Sequence, residues 1–168
     1  MNPLKTNTMR MIAVSIVAVI ATSAPAATTS PGKSSVSASG FGVTLPDGVT
    51  GEAVLVSGTI LKGKAKQVVV IEGALATYFQ SIFPFLRAKV NGVVAEGAVV
   101  AADCKNTSST RCSVAGVWWL DLDAAETANP GVFIGQPLTI ELFGGTDTFA
   151  PPISGTGDVS MSARLQKK

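Results

Sequence analysis

The sequence contains no histidine among its 168 residues. Histidine is the side chain whose ordinary pKa suits proton transfer near neutral pH, so its absence excludes Ser-His-Asp triads, Cys-His dyads and histidine-ligated metals. The G-x-S-x-G motif, the P-loop and the dinucleotide-binding fingerprint are also absent. A pair of carboxylates, as in glycoside hydrolases, is the remaining catalytic option. We therefore predict that the chain is not an enzyme.

Cysteine is scarce as well. Cys104 and Cys112 are the only two, with seven mostly polar residues between them. Neither a C-x-x-C spacing nor a histidine is present to complete a metal or redox site, and an even count in an exported chain predicts one disulfide. Closing so short a loop stabilises the fold by about 2–3 kcal/mol in the chain-entropy treatment.

The N-terminus has the pattern of a secretory signal. Lys5 and Arg10 precede an uncharged apolar run at residues 11–21, and Ala24-Pro25-Ala26 follows as a cleavage site. The run is shorter than the roughly 20 residues that a membrane-spanning helix needs. We expect residues 1–26 to be a signal peptide that is cleaved after Ala26. The protein is then expected to be bacterial and to be exported to the periplasm or secreted.

Charge is low, at 14% of residues, and nearly balanced. Removing Lys5 and Arg10 with the signal leaves 11 basic residues against 11 acidic ones. A neutral domain without a basic cluster is a poor partner for nucleic acid or for an anionic membrane surface. No later segment is apolar enough to predict a membrane span.

The rest of the chain is punctuated by turn signals between short alternating runs. Residues 27–40 are small and polar, which predicts a flexible linker or a frayed edge that could carry a first strand at 36–45. Residues 41–168 form one predicted domain. Residues 52–61 and 67–79 are expected to pair as a hairpin around 62–66. Asn91-Gly92 predicts a second hairpin, with residues 93–102 as the partner strand.

These runs amount to seven or eight strands with one short helix. The pattern is typical of an all-β antiparallel sandwich, and we expect one of immunoglobulin or fibronectin-III type. A jelly roll and a small barrel are the alternatives.

Residues 112–131 hold both tryptophans and the densest acidic group. Successive side chains of a strand point to opposite faces, so Trp118 and Trp119 cannot both enter the same core. We expect Trp118 inside and Trp119 outside or packed under the loop near 129–135. Asp123 and Glu126 have the spacing of a capping box, which predicts a helix that stops before Pro130.

Two binding hypotheses follow. An exposed Trp119, with Asp121 on the same face, could hold a ligand, and sugar rings stack on such platforms; Tyr78 and Phe143 are further aromatic candidates. Alternatively Asp121, Asp123 and Glu126, with Asp103 or Asp147, could supply oxygen ligands to Ca²⁺; no other cofactor is expected. The partner would be a glycan or another exported protein. A protein partner is expected if the chain is a surface or adhesion subunit.

Overall fold

The computed structural model describes residues 33–46, 52–78, 83–105, 111–147 and 155–168. The predicted signal peptide lies outside these ranges. The described elements are, in order, β1 (Ser35–Leu45), β2 (Ala53–Ile60), β3 (Gln67–Tyr78), β4 (Phe83–Val90), β5 (Val93–Val94), β6 (Glu96–Lys105), β7 (Arg111–Asp121), α1 (Leu122–Ala128), β8 (Leu138–Asp147) and β9 (Gly155–Lys167). Residues 35–40, for which a linker or an edge was expected, belong to β1.

The protein is mostly β, with two antiparallel sheets and one short helix. The larger sheet has the strand order β1-β9-β3-β7-β6, and the smaller has the order β2-β8-β4-β5. Their inner faces carry alternating apolar residues that pack into one core. Leu45, Ile71, Ile140 and Leu142 are among its fully buried side chains. Inward and outward residues alternate along these strands, as the period of two of a β-strand requires.

The connections differ from the predicted ones. Antiparallel pairs form between β1 and β9, between β2 and β8, and between β3 and β7. Early strands thus pair with late strands, and these three pairs alternate between the larger and the smaller sheet. The predicted hairpin of residues 52–61 with 67–79 is therefore wrong, because β2 and β3 lie in different sheets. In an immunoglobulin domain the first two strands are neighbours in one sheet. The immunoglobulin or fibronectin type is not confirmed.

The Asn91-Gly92 turn forms as predicted. Both residues have positive φ, 48° at Asn91 and 81° at Gly92, as a type I′ turn requires. Its partner strand, however, is only β5, which pairs with β4 at Val93 and Val94. Ala95 is buried, and the chain then crosses to the larger sheet as β6. A single strand over 93–102 is thus replaced by two strands in different sheets.

Trp118 occupies the core against a row of glycines. It is 3% exposed, and Gly116, Gly73 and Gly97 surround its indole. A Cβ at Gly116 would lie 2.7 Å from Cζ2 of Trp118, and one at Gly97 would lie 2.9 Å from Cδ1. Both distances are shorter than real Cβ contacts. The indole fits because three neighbouring strand positions carry no side chain.

Cys104 and Cys112 form the predicted disulfide, with an S–S distance of 2.04 Å. They lie directly opposite each other on β6 and β7, with 4.1 Å between the Cα atoms. Cys112 is buried and Cys104 is exposed. The bond joins β6, a strand at one edge of the larger sheet, to its neighbour β7. None of the described helical residues forms a segment long and apolar enough to span a bilayer.

Candidate functional site

Trp119 lies on the outward face of the larger sheet, as the alternation predicted. Its side chain is 46% exposed, whereas that of Trp118 is buried. Directly opposite residues on adjacent strands point to the same face, and Trp119 lies between Glu96 of β6 and Val70 of β3. We call the outward side of this sheet the Trp119 face.

The strand register places polar groups on the same face of the sheet as the Trp119 indole. Val70 lies opposite Arg164 of β9, so Arg164 is two strands from Trp119, or about 10 Å at ordinary strand spacing. Nη1 of Arg164 donates to Oε1 of Glu72 at 2.8 Å, and each side chain is about half exposed. Glu96 is also exposed. An aromatic surface is thereby combined with carboxylate acceptors and a guanidinium donor.

A trough on the Trp119 face runs across the strands of the larger sheet. One part, of about 420 Å³, runs between Val100 on β6 and Ser160 on β9. A second part, of about 280 Å³, shares Ala74 and Ser160 with the first and continues to Phe41 on β1. The trough forms where the outward residues of the central strands are small, notably Ala74, Ala115, Ser160 and Ser162. Val117, two residues from Trp119, lines its wall.

Exposed apolar groups mark both ends of the trough. Val100 is 68% exposed and Phe41 is 82% exposed. The trough is therefore open to an extended molecule that lies across the strands, with Trp119 beside it and the Glu72–Arg164 pair along its length.

Asp121, the second predicted ligand-binding residue, has a structural role here. Its Oδ1 accepts from the N–H groups of Asp123 at 3.0 Å and Ala124 at 3.2 Å, so Asp121 is the N-cap of α1. Its Oδ2 forms an ion pair with Lys168. The Lys168 ammonium, together with these N–H groups, holds the pKa of Asp121 below its ordinary value. The same contact raises the pKa of Lys168.

The predicted capping box at Asp123 is wrong by two residues. Because β7 stays extended up to Asp121, that residue caps the helix, and Asp123 lies inside its first turn. The Asp123 carboxylate accepts from the Lys66 N–H at 3.1 Å and from Lys168 Nζ at 3.2 Å. It therefore attaches the β2–β3 connection to the helix instead of closing a capping box.

Glu126 is held by the loop that follows the helix. Its carboxylate accepts from the N–H groups of Gly131, Phe133 at 2.8 Å and Ile134 at 3.0 Å. The N–H group of Ile134, together with those of Gly131 and Phe133, lowers the pKa of Glu126. The capping-box role, in which Glu126 would reach back to the start of the helix, is replaced by a contact with the next loop.

The three carboxylates predicted to bind Ca²⁺ thus each accept hydrogen bonds from N–H groups. Within the described ranges, no group of three His, Cys, Asp or Glu side chains is arranged to hold a metal ion. Asp103 lies on β6, opposite Ser113, and away from α1. The side chain of Asp147 lies outside the described residues.

The other aromatic candidates do not join Trp119. Phe143 is 2% exposed, and Nζ of Lys89 lies 4.2 Å from the centre of its ring. Phe143 therefore cannot serve as an exposed platform, because it is buried and a lysine lies over its ring. The side chain of Tyr78 lies outside the described residues.

Two features were not predicted. Phe41 falls within the stretch treated as a possible edge strand, and its exposure depends on a shift in register between Gly40 and Val43. The Glu72–Arg164 pair joins strands far apart in sequence. The only indication of this pair in the sequence was that each residue is polar within a run that otherwise alternates apolar residues.

No protein-family model, curated protein or solved structure matches the chain.

Proposed function

We propose that this chain is an exported, non-catalytic binding protein and that its ligand lies on the Trp119 face. The observation that carries the proposal is the half-exposed indole of Trp119 on a sheet face that also has an open trough. A large aromatic side chain is usually buried for packing, and aromatic anchors are enriched at binding surfaces. The disulfide supports export, because such bonds persist in oxidising compartments.

The ligand class that best fits this surface is a carbohydrate. A sugar ring presents a flat apolar side that stacks on an indole and hydroxyl groups that exchange hydrogen bonds with carboxylates and guanidinium groups. Glu96 is next to Trp119, and the Glu72–Arg164 pair lies along the trough. A trough open at both ends suits a chain of several sugar rings. The clustered carboxylates Asp121, Asp123 and Glu126 accept hydrogen bonds that hold α1 and its neighbours, which favours binding over hydrolysis.

The test is a glycan array with the mature protein, followed by calorimetry on any glycan that binds. We expect Trp119→Ala to weaken binding at least tenfold, about the effect of losing an anchor residue. Trp119→Phe, which keeps an aromatic ring, should retain part of the affinity. Val94→Ala is the matched control, because Val94 is 53% exposed on the smaller sheet. Failure of the wild type to bind any glycan, or equal binding by Trp119→Ala, would exclude a carbohydrate site here.

A further inference from the structure

Strand β6 ends the larger sheet, and its outer edge has no neighbouring strand among the described residues. Every residue from 96 to 104 is exposed. The run of residues 98–102, Ala-Val-Val-Ala-Ala, carries neither charge nor proline. An edge of this kind presents unpaired N–H and C=O groups as a template for another strand, which natural proteins usually block with lysine, proline or a short strand.

The other described edges are better protected. At the opposite end of the sandwich β1 packs against β2, so neither of these edge strands is isolated. Strand β5 has only two residues. β6 has ten residues, and those from 96 to 104 are all exposed.

β6 does have a bulge, at the shift in register between Val99 and Ala101. A bulge generally makes an edge harder to extend. Here the extra residue is Val100, whose side chain is 68% exposed, next to Val99 at 41%. The irregularity therefore adds apolar surface at the middle of the edge. The disulfide at Cys104 attaches the strand to β7, so this edge is held in place.

We propose that β6 pairs antiparallel with β6 of a second copy of this chain, joining two five-stranded sheets edge to edge. An antiparallel strand pair has two-fold symmetry, so one surface serves both copies. The proposal does not depend on the identity of any ligand.

The charges of the strand favour a second copy over an unrelated strand. Glu96 begins β6, and the residue at 105, where it ends, is a lysine. A pair centred between Val100 and Ala101 places position 105 of each copy opposite Glu96 of the other. Opposite charges directly across a strand pair are stabilising and like charges are destabilising. The apolar residues 99–102 then meet each other in the middle of the contact, and Ala98 of each copy lies opposite Asp103 of the other.

The first test is sedimentation velocity of the mature protein over a wide range of concentration. We expect a reversible dimer for the wild type and a monomer for Val100→Lys, which places a charge in the middle of the contact. Val54→Lys is the matched control, because Val54 is 49% exposed on β2, which is an edge strand of the smaller sheet. It should dimerise like the wild type. Thermal unfolding of Val100→Lys should remain cooperative, which separates loss of the dimer from loss of the fold.

A charge exchange tests the orientation of the strands. Glu96→Lys and Lys105→Glu should each weaken the dimer about tenfold, since each creates two like-charge pairs. The double variant should recover an affinity within about threefold of the wild type, because it restores both opposite-charge pairs. Trp119→Ala should dimerise normally, so that failure of this proposal and failure of the glycan proposal are distinguishable. A monomeric wild type, a dimeric Val100→Lys or a double variant without recovery overturns the proposal.

Discussion

At the scale of single residues, the two tryptophans owe their different environments to strand alternation and to glycine. Alternation sends Trp118 inward and Trp119 outward. The inward position can accept an indole because Gly73 and Gly116, which lie opposite each other on β3 and β7, leave the space above them empty. The alternation of one strand, β7, thus determines which of the two tryptophans is exposed and which is buried.

This packing predicts that Gly116→Ala destabilises the protein. The added methyl group would overlap the indole of Trp118, and overpacking of this kind typically costs about 1–3 kcal/mol. Urea denaturation measures the loss in free energy of unfolding. Ala115→Val is the control, because it adds methyl groups to the adjacent residue on the opposite, partly open face; it should stay within about 0.5 kcal/mol of the wild type. Equal stability of Gly116→Ala and wild type would show that the core yields at this position.

The sequence was sufficient to predict the faces of Trp118 and Trp119, because alternation is local. It was not sufficient to predict the glycines around the indole. Gly73 and Gly97 reach Trp118 only through the pairing of β3 and β6 with β7, which depends on long-range register. The exposed Phe41 was missed for a similar reason, since a bulge re-aims side chains without a clear signal in composition.

At the scale of elements, the segment from α1 to β8 is held by two polar side chains. Glu126 accepts from three N–H groups of the loop after the helix. Asn91, at the β4–β5 turn, donates to the carbonyls of Val132 at 2.8 Å and Pro137 at 3.1 Å, and accepts from the Thr139 N–H at 2.7 Å. A helix of seven residues is too short to be stable by itself, so these contacts fix its position.

The lowered pKa values of Glu126 and Asp121 predict a loss of stability in acid. A carboxylate whose pKa is lower when folded than when unfolded contributes stability above its unfolded pKa, ordinarily about 4. That contribution is lost as the pH falls from there through the lower folded value. Glu126→Gln should therefore lower the melting temperature at neutral pH, and the difference from wild type should shrink as the pH falls below about 4.

The measurement is thermal unfolding from neutral to strongly acid pH. Glu52→Gln is the control for removing one carboxylate, since Glu52 pairs with the Arg87 side chain at 3.4 Å instead of with backbone N–H groups. It should change the melting temperature much less at neutral pH. A Glu126→Gln protein that melts with the wild type at every pH would contradict the structural role of this carboxylate.

The helix itself was predictable, but its cap was not. Asp121 and Asp123 are both good N-cap residues, and the choice depends on where β7 stops being extended. β7 ends at Asp121 and Leu122 is already helical, so the helix starts earlier than the alternating pattern indicates. The hairpin around residues 62–66 was misassigned because its turn signal does not specify which sheet the next strand enters. The Asn91-Gly92 hairpin was predicted, but no local signal shows that the chain leaves this sheet after Val94.

At the scale of the whole molecule, the carboxylates near α1 join distant parts of the chain. Asp121 and Asp123 both contact Lys168, and Asp123 also contacts the connection before β3. The site predicted for Ca²⁺ is thus a junction between α1, the end of β9 and the start of β3. An ion placed there would have to displace an ammonium and several N–H donors.

We therefore expect the melting temperature to be the same in excess Ca²⁺ and in excess chelator. A ligand that binds the folded state raises the melting temperature in proportion to its affinity and concentration, so the comparison is direct. Mg²⁺ at the same concentration controls for ionic effects. A rise of several degrees that is specific to Ca²⁺, and that Asp123→Asn removes, would instead support the calcium hypothesis.

The fold class was predictable because alternating apolar residues and turn signals recur along the chain. The topology was not, since β1 pairs with β9 and β2 with β8 across most of the sequence. Such distant pairing leaves no trace in a local pattern. The Trp119 face likewise brings together five strands, of which only β6 and β7 are consecutive.

The adjacent tryptophans also give the protein two optical reporters on one strand. An indole in a dry core emits at shorter wavelength than one in contact with water, and a dissolved quencher reaches only the second. Trp118 should therefore report the integrity of the core, and Trp119 should report events on the sheet surface. Since these are the only tryptophans in the sequence, replacing either with phenylalanine leaves a single emitter whose signal is unambiguous.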